Sequence, residues 1–185
     1  TTYDVTDSQT LNVNKDHGDR VFGINYSKDG RYIATACFDG YARVFKADTL
    51  ELLTDPLPFG FSYGANLDFS SDSSYLLTRT NVGRDENNLV VWDLKLGEEK
   101  FRFEHSSAIF NHAFSSDNNH LYTCGKDKIT KMWSLETGEL QSVFKQSENV
   151  LSVAELPGDS TKILTVDQKG NARIWDTTLG KVVDG

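Results

Sequence analysis

The pentapeptide Ala172-Arg173-Ile174-Trp175-Asp176 decides how this chain is read, because it recurs. Leu89-Val90-Val91-Trp92-Asp93 and Thr130-Lys131-Met132-Trp133-Ser134 repeat its pattern, and Ala42-Arg43-Val44-Phe45-Lys46 repeats it more weakly. The aromatic anchors Phe45, Trp92, Trp133 and Trp175 are 47, 41 and 42 residues apart. Counting back 42 residues from Phe45 reaches Tyr3-Asp4, a further aromatic–Asp pair. Similar polar tails follow the anchors, as in Glu136-Thr137-Gly138-Glu139 and Thr178-Leu179-Gly180-Lys181. Self-similarity at a fixed period of this size marks an architecture of stacked repeats.

Within a repeat the hydrophobic period is two rather than 3.6. Phe22, Ile24 and Tyr26 alternate with Val21, Gly23 and Asn25, so the alternation places the first three on one strand face. Turn signals punctuate the strands: Lys28-Asp29-Gly30, Asp39-Gly40, Ser71-Asp72-Ser73, Ser116-Asp117-Asn118, Pro157-Gly158-Asp159 and Lys169-Gly170-Asn171. Each repeat of about 42 residues therefore predicts four short antiparallel strands, and one such sheet needs neighbours to cover its faces.

This set of features resembles the WD-repeat β-propeller family over essentially the whole chain. The resemblance implies an all-β fold of four-stranded propeller blades. Repeats run over roughly 17–58, 59–104, 105–146 and 147–185, with 1–16 as the outer strand of a preceding blade. It also implies a structural hydrogen-bonded tetrad in each blade: a His before the first strand, a Ser or Thr on the second, an Asp in the next turn and the Trp of the third. His105, Thr123, Asp127 and Trp133 match at offsets 0, 18, 22 and 28. His17, Thr35, Asp39 and Phe45 have the same offsets, but a phenyl ring has no N–H to donate. The fourth repeat has Ser147, Thr165, Lys169 and Trp175 there, and so lacks both His and Asp. The second has Gly60 and Thr78, and the insertion 81–88 displaces Trp92 by four residues.

The chemistry-bearing residues read as scaffold. A His–Asp–hydroxyl set resembles hydrolytic machinery, yet a catalytic constellation occurs once and this one recurs at fixed offset. No Gly-x-Ser-x-Gly elbow and no phosphate-binding Gly-x-x-x-x-Gly-Lys-Ser/Thr loop is present, and no cofactor is expected. His105, His112, His120 and Cys124 match no zinc spacing, so no metal site is expected. Asn25-Tyr26-Ser27 is a glycosylation sequon by pattern, read as chance on a first strand. Cys37 and Cys124 are too few for a disulfide framework and sit on second strands as core thiols. With no signal peptide in Thr1-Thr2-Tyr3-Asp4, they point to a cytoplasmic or nuclear location. Nineteen Lys and Arg stand against 27 Asp and Glu, a net charge of −8 without a basic cluster, which argues against nucleic acid. No apolar run reaches the roughly 18–20 residues that span a bilayer, so membrane insertion is not expected.

Function is therefore sought on the surface. In families of this kind partners often bind one rim, faced by the residues 3 and 5 after the His position and by the residue before the turn Asp. Here these include Arg20, Phe22, Phe38, Tyr63, Ala65, Phe110, Lys126, Val150, Ser152 and Gln168. The bets among them are Arg20, Phe22, Phe38, Tyr63, Phe110 and Lys126, an aromatic and cationic composition typical of binding hot spots. The reading is a non-enzymatic protein-interaction scaffold that presents this rim to a protein or peptide. Its alternative is a structural subunit of a cytoskeletal, ciliary or trafficking assembly, held through blade edges. The chain enters and leaves in mid-blade, and four repeats are short for a ring of about six to eight. A segment of a larger propeller, or one completed by another chain, is expected.

Overall fold

The computed structural model describes residues 16–60, 67–80 and 88–183, and the backbone of 2–3 and 10–12. Tyr63, Ala65 and residues 81–87 of the insertion lie outside the described residues. Every element is a β-strand. β1 (Thr2–Tyr3) pairs antiparallel with β2 (Thr10–Asn12). Four four-stranded antiparallel sheets follow, each pairing its strands in chain order. Sheet 1 holds β3 (Val21–Tyr26), β4 (Tyr32–Cys37), β5 (Tyr41–Lys46) and β6 (Leu57–Pro58). Sheet 2 holds β7 (Leu67–Phe69), β8 (Tyr75–Thr80), β9 (Asn88–Asp93) and β10 (Glu98–Glu104). Sheet 3 holds β11 (Ile109–Phe114), β12 (His120–Gly125), β13 (Ile129–Ser134) and β14 (Leu140–Lys145). Sheet 4 holds β15 (Val150–Leu156), β16 (Asp159–Asp167), β17 (Ala172–Asp176) and β18 (Lys181–Val182).

Three sheets close their first hairpin with one turn, written in sequence as Ser-x-Asp. Ser27 Oγ donates to Asp29 Oδ1 at 2.7 Å, Ser70 to Asp72 at 2.7 Å and Ser115 to Asp117 at 2.6 Å. The same serine oxygens accept the backbone N–H of Tyr32, Tyr75 and His120 across the turn. The same aspartates accept the N–H two residues on, from Arg31, Ser74 and Asn119. Gly30, Ser73 and Asn118 take the left-handed conformation that completes the loop, with φ of 73°, 63° and 59°. Serine and asparagine at two of these positions carry a cost that glycine avoids, and the side-chain bonds hold them there.

The described residues form two compact units, residues 2–80 with 89–100 and residues 101–183. In the first, small residues on the back of sheet 1 (Ala34, Ala36, Ala42 and Val44) receive Leu67 and Phe69 from the inner strand of sheet 2. Asn25 Nδ2 bonds the Leu67 carbonyl across this contact at 2.9 Å, so the sequon amide is committed to packing. In the second, Tyr122, Cys124 and Met132 of sheet 3 receive Val153 of sheet 4, and Phe144 meets Trp175 edge-on at 5.5 Å. Burying a side chain of this size stabilises by roughly 1.5–3 kcal/mol.

Three inner strands depart from simple alternation. The β3–β4 register shifts between Val21 and Gly23, so Phe22 packs against the core cluster while Ile24 and Tyr26 are exposed. Matching shifts occur between Ile109 and Asn111 and between Val150 and Ser152. An extra residue at the start of an inner strand re-aims the side chains before it.

Candidate functional site

Polar groups are enclosed within sheet 3. Trp133 Nε1 donates to Thr123 Oγ1 at 2.8 Å, Thr123 Oγ1 lies 2.7 Å from His105 Nε2, and His105 Nδ1 lies 2.9 Å from Asp127 Oδ2. An indole can only donate, so Thr123 accepts from Trp133 and turns its own hydrogen to Nε2; Nδ1–H then donates to Asp127. Every donor has an acceptor, which is the condition for burying such groups. The His105 side chain is fully enclosed and that of Asp127 is 5% exposed. Burial pushes the Asp127 carboxyl upward, but the His105 bond, the Ile129 amide and the Lys131 charge outweigh it and hold it below its ordinary value.

The other sheets keep parts of this chain of bonds. Trp92 donates to Thr78 and Trp175 to Thr165, each at 2.9 Å. In sheet 1, His17 Nε2 lies 2.8 Å from Thr35 Oγ1, and the Phe45 ring stands 5.7 Å from the imidazole without donating. Asp39, expected to join His17 and Thr35, is held elsewhere. The Arg43 guanidinium takes it as a two-pronged pair at 2.8 and 3.1 Å, and the Gly18 and Tyr41 amides donate to it as well. Burial opposes its ionisation, and these four donors override burial, leaving the carboxyl well below the usual range. Burial foremost, and then the Arg43 charge, lower the His17 pKa.

Sheet 4 carries a carboxylate after all, two residues earlier than the offset predicts. Asp167 accepts from the Lys169 and Asn171 amides and from Arg173 at 2.7 Å. The residue two before the anchor is thus a working cation in three sheets: Arg43, Arg173, and Lys131, which bonds the Glu104 carbonyl at 2.8 Å. The repeated pentapeptide displays this basic residue, and it was the signal for these pairs.

Comparison with known proteins agrees with this geometry. The family model described as WD domain, G-beta repeat matches residues 8–46 and 97–134. These two stretches carry WD repeats. The serine-threonine kinase receptor-associated protein of Gallus gallus is 26% identical over 149 residues, 80% of this chain and 41% of that protein. Protein tipD of Dictyostelium discoideum is 37% identical over 78 residues, 42% of this chain and 13% of that protein. Autophagy-related protein 16 of Arabidopsis thaliana is 22% identical over 191 residues, 98% of this chain and 36% of that protein. The chain spans less than half the length of these curated relatives.

On the WD repeat of sheet 1, the side chains at one turn end come together. The Arg20 guanidinium lies 5.1 Å above the Phe38 ring, Phe38 packs tilted against Phe22 at 4.6 Å, and Phe22 meets the buried Phe59 at 6.4 Å. In the second unit Phe110 is half-buried and Lys126 exposed, its amide bonded to the Ala108 carbonyl at 2.8 Å. Ser152 and Gln168 are exposed, whereas Val150 is fully enclosed in the core and presents nothing to a partner. At the opposite turn end of the first unit, two adjoining hollows of about 420 and 360 Å³ share Arg31, Tyr32 and Leu53. Asp29 at their edge is tied to Ser27 and Arg31.

Both cysteines are buried free thiols, and burial pushes Cys124 up to about 12. Among the described residues no three His, Cys, Asp or Glu side chains gather as a metal site.

The depressed acids and His17 share one pH consequence. A group whose pKa is lowered by folding binds its proton first in the unfolded chain, so proton uptake favours unfolding. Stability is expected to fall with acid, beginning below about pH 6.5 through His17 and steepening below about pH 4 through Asp39 and Asp127. Urea midpoints measured from pH 8 down to pH 3 check this. A midpoint that holds or rises across that range contradicts it.

Proposed function

We propose that this chain is a non-enzymatic scaffold that presents the turn end of its WD repeats to a protein or peptide partner. One observation carries the reading: the Arg20 side chain is 82% exposed and lies over the Phe38 ring, which meets Phe22 on the core. An exposed guanidinium over Phe38, itself packed against Phe22, combines charge, apolar area and a rigid floor, the composition of interface hot spots. Tyr63 holds a corresponding repeat position in the first unit, as Phe110 and Lys126 do in the second. WD repeats in general support protein binding. One relative is named for association with a serine-threonine kinase receptor. The recurring His, Thr and Asp positions serve scaffold networks, which leaves no catalytic role for them. The buried reduced thiols suit a cytoplasmic or nuclear location.

The experiment compares tagged wild type with Arg20→Glu combined with Phe38→Ala in capture from native extract. Loss of binding by tenfold or more, about 1.4 kcal/mol, is expected at an unchanged melting temperature. If every recovered partner binds the variant equally well, the turn end is not the binding surface.

A further inference from the structure

The 360 Å³ hollow lies between sheets 1 and 2 of the first unit, at the turn end away from Arg20. One wall comes from Arg31 and Tyr32 of sheet 1 and from Leu53 in the link to β6. The β7–β8 turn, Leu94 and Lys95 form the other. Leu94 belongs to the core cluster and is 5% exposed, and half-buried Tyr32 and Leu53 pack against the same cluster. The floor is therefore apolar and held in place by the core. This size, with an apolar lining and a few polar groups beside it, is that of a ligand-binding hollow.

The hydrogen-bonding capacity left over decides which ligand fits. Asp72 is the one carboxylate lining this hollow among the described residues, and the Ser70 and Ser74 hydroxyls donate to its oxygens. Arg31 spends Nε on Asp29 at 2.7 Å, while its two terminal amino groups bond no described residue. Its guanidinium is seated 5.2 Å from the centre of the Tyr32 ring. Lys95 is exposed, and its ammonium has no partner among the described residues; its amide alone is bonded, to Asp93. Two cations with unspent donors thus line an apolar floor beside one acid whose oxygens are already taken, in a chain whose net charge is −8. That arrangement is complementary to an anion with apolar surface attached.

We propose that this hollow binds an extended peptide segment of a partner protein, with an acidic side chain between Arg31 and Lys95 and an adjoining apolar side chain on Tyr32 and Leu53. The carboxylate accepts charge-assisted bonds from the terminal amino groups of Arg31 and from the Lys95 ammonium. The adjoining 420 Å³ hollow shares Arg31, Tyr32 and Leu53 and continues the trough past Ala47. It has room for the residues that flank the acid, which a lone carboxylate does not need. This site and the Arg20 surface are separate, and neither requires the other.

Panning a displayed library of random octapeptides on the immobilised chain, followed by fluorescence anisotropy of the enriched peptides, tests this. The enriched sequences are expected to share an Asp or Glu beside an apolar residue. Lys95→Glu should weaken them roughly tenfold or more, because a like charge replaces a donor. Changing the acid of the peptide to lysine should restore binding to Lys95→Glu. Lys145→Glu makes the same charge change at an exposed lysine of sheet 3 and should bind as wild type does. Leu53→Ser should weaken binding by removing apolar floor; if it lowers the melting temperature, the exposed Lys95 variant carries the test. The proposal is overturned if no peptide is enriched, or if every enriched peptide lacks an acid or binds Lys95→Glu as tightly as wild type.

Discussion

Replacing Thr123 with valine is expected to cost roughly 2–4 kcal/mol of stability, although the shape of the side chain barely changes. Thr123 is fully buried, and its single oxygen accepts the Trp133 N–H at 2.8 Å while its hydrogen reaches His105 at 2.7 Å. A methyl group there satisfies neither, and an unpaired buried polar group costs about 1–3 kcal/mol. The same change in sheets 2 and 4 is an internal control. Thr78 and Thr165 each accept one indole N–H but occupy repeats without the tetrad histidine, and Thr165 adds only a long bond to the Arg173 carbonyl at 3.5 Å, so Thr78→Val and Thr165→Val should each cost less. Urea unfolding free energies of the three variants decide the matter. Equal costs would show that the bond to His105 contributes nothing.

Arg43→Ala carries the second large effect, roughly 3 kcal/mol, because it leaves a carboxylate enclosed without its cation. The Arg43 and Asp39 side chains are only 8% and 15% exposed and meet through two parallel bonds. The Gly18 and Tyr41 amides still hold Asp39 in the variant, which keeps the cost at the low end for a broken buried pair. Lys131→Ala, at the equivalent place in sheet 3, should cost about 1 kcal/mol or less. There the acid belongs to His105, and the lysine bonds a carbonyl near the surface. Carbon-detected titration gives a second readout: the Asp39 carboxyl should move up toward its ordinary value in Arg43→Ala. The assignment fails if both cations cost the same and Asp39 does not move.

These contrasts mark where the sequence could be read and where it could not. The anchor spacing, the polar turns and the alternation locate the strands, because each depends on chain-local geometry. The offsets also align Thr35, Thr123 and Thr165, since each stands on a second strand opposite the residue two before its anchor. Offsets fail where two groups compete for one partner. Asp39 lies 22 residues after His17, as Asp127 does after His105, yet a nearby arginine with a rigid fork takes it. Asp167 was missed for the converse reason: Arg173 and Asn171 reach it at a position where sheets 1 and 3 carry Cys37 and Gly125. Phe22 looked like a surface residue, and the register shift before Gly23 turns it toward the core. Side-chain reach and a one-residue bulge are invisible to spacing.

The serine–aspartate turn has a last consequence for how these sheets tolerate change. Its bonds involve no side chain on the strand faces, so strand register is dictated from the loop rather than by the fit of the faces. A slip by one residue would break the loop bonds before it exposed any apolar surface. The faces are thereby released from the duty of enforcing alignment. In the three sheets with this turn, one structural position accordingly holds isoleucine at 24, leucine at 67 and histidine at 112, each opposite the equivalent threonine. Mutational drift at that position alters what a blade adheres to and leaves the blade itself in place.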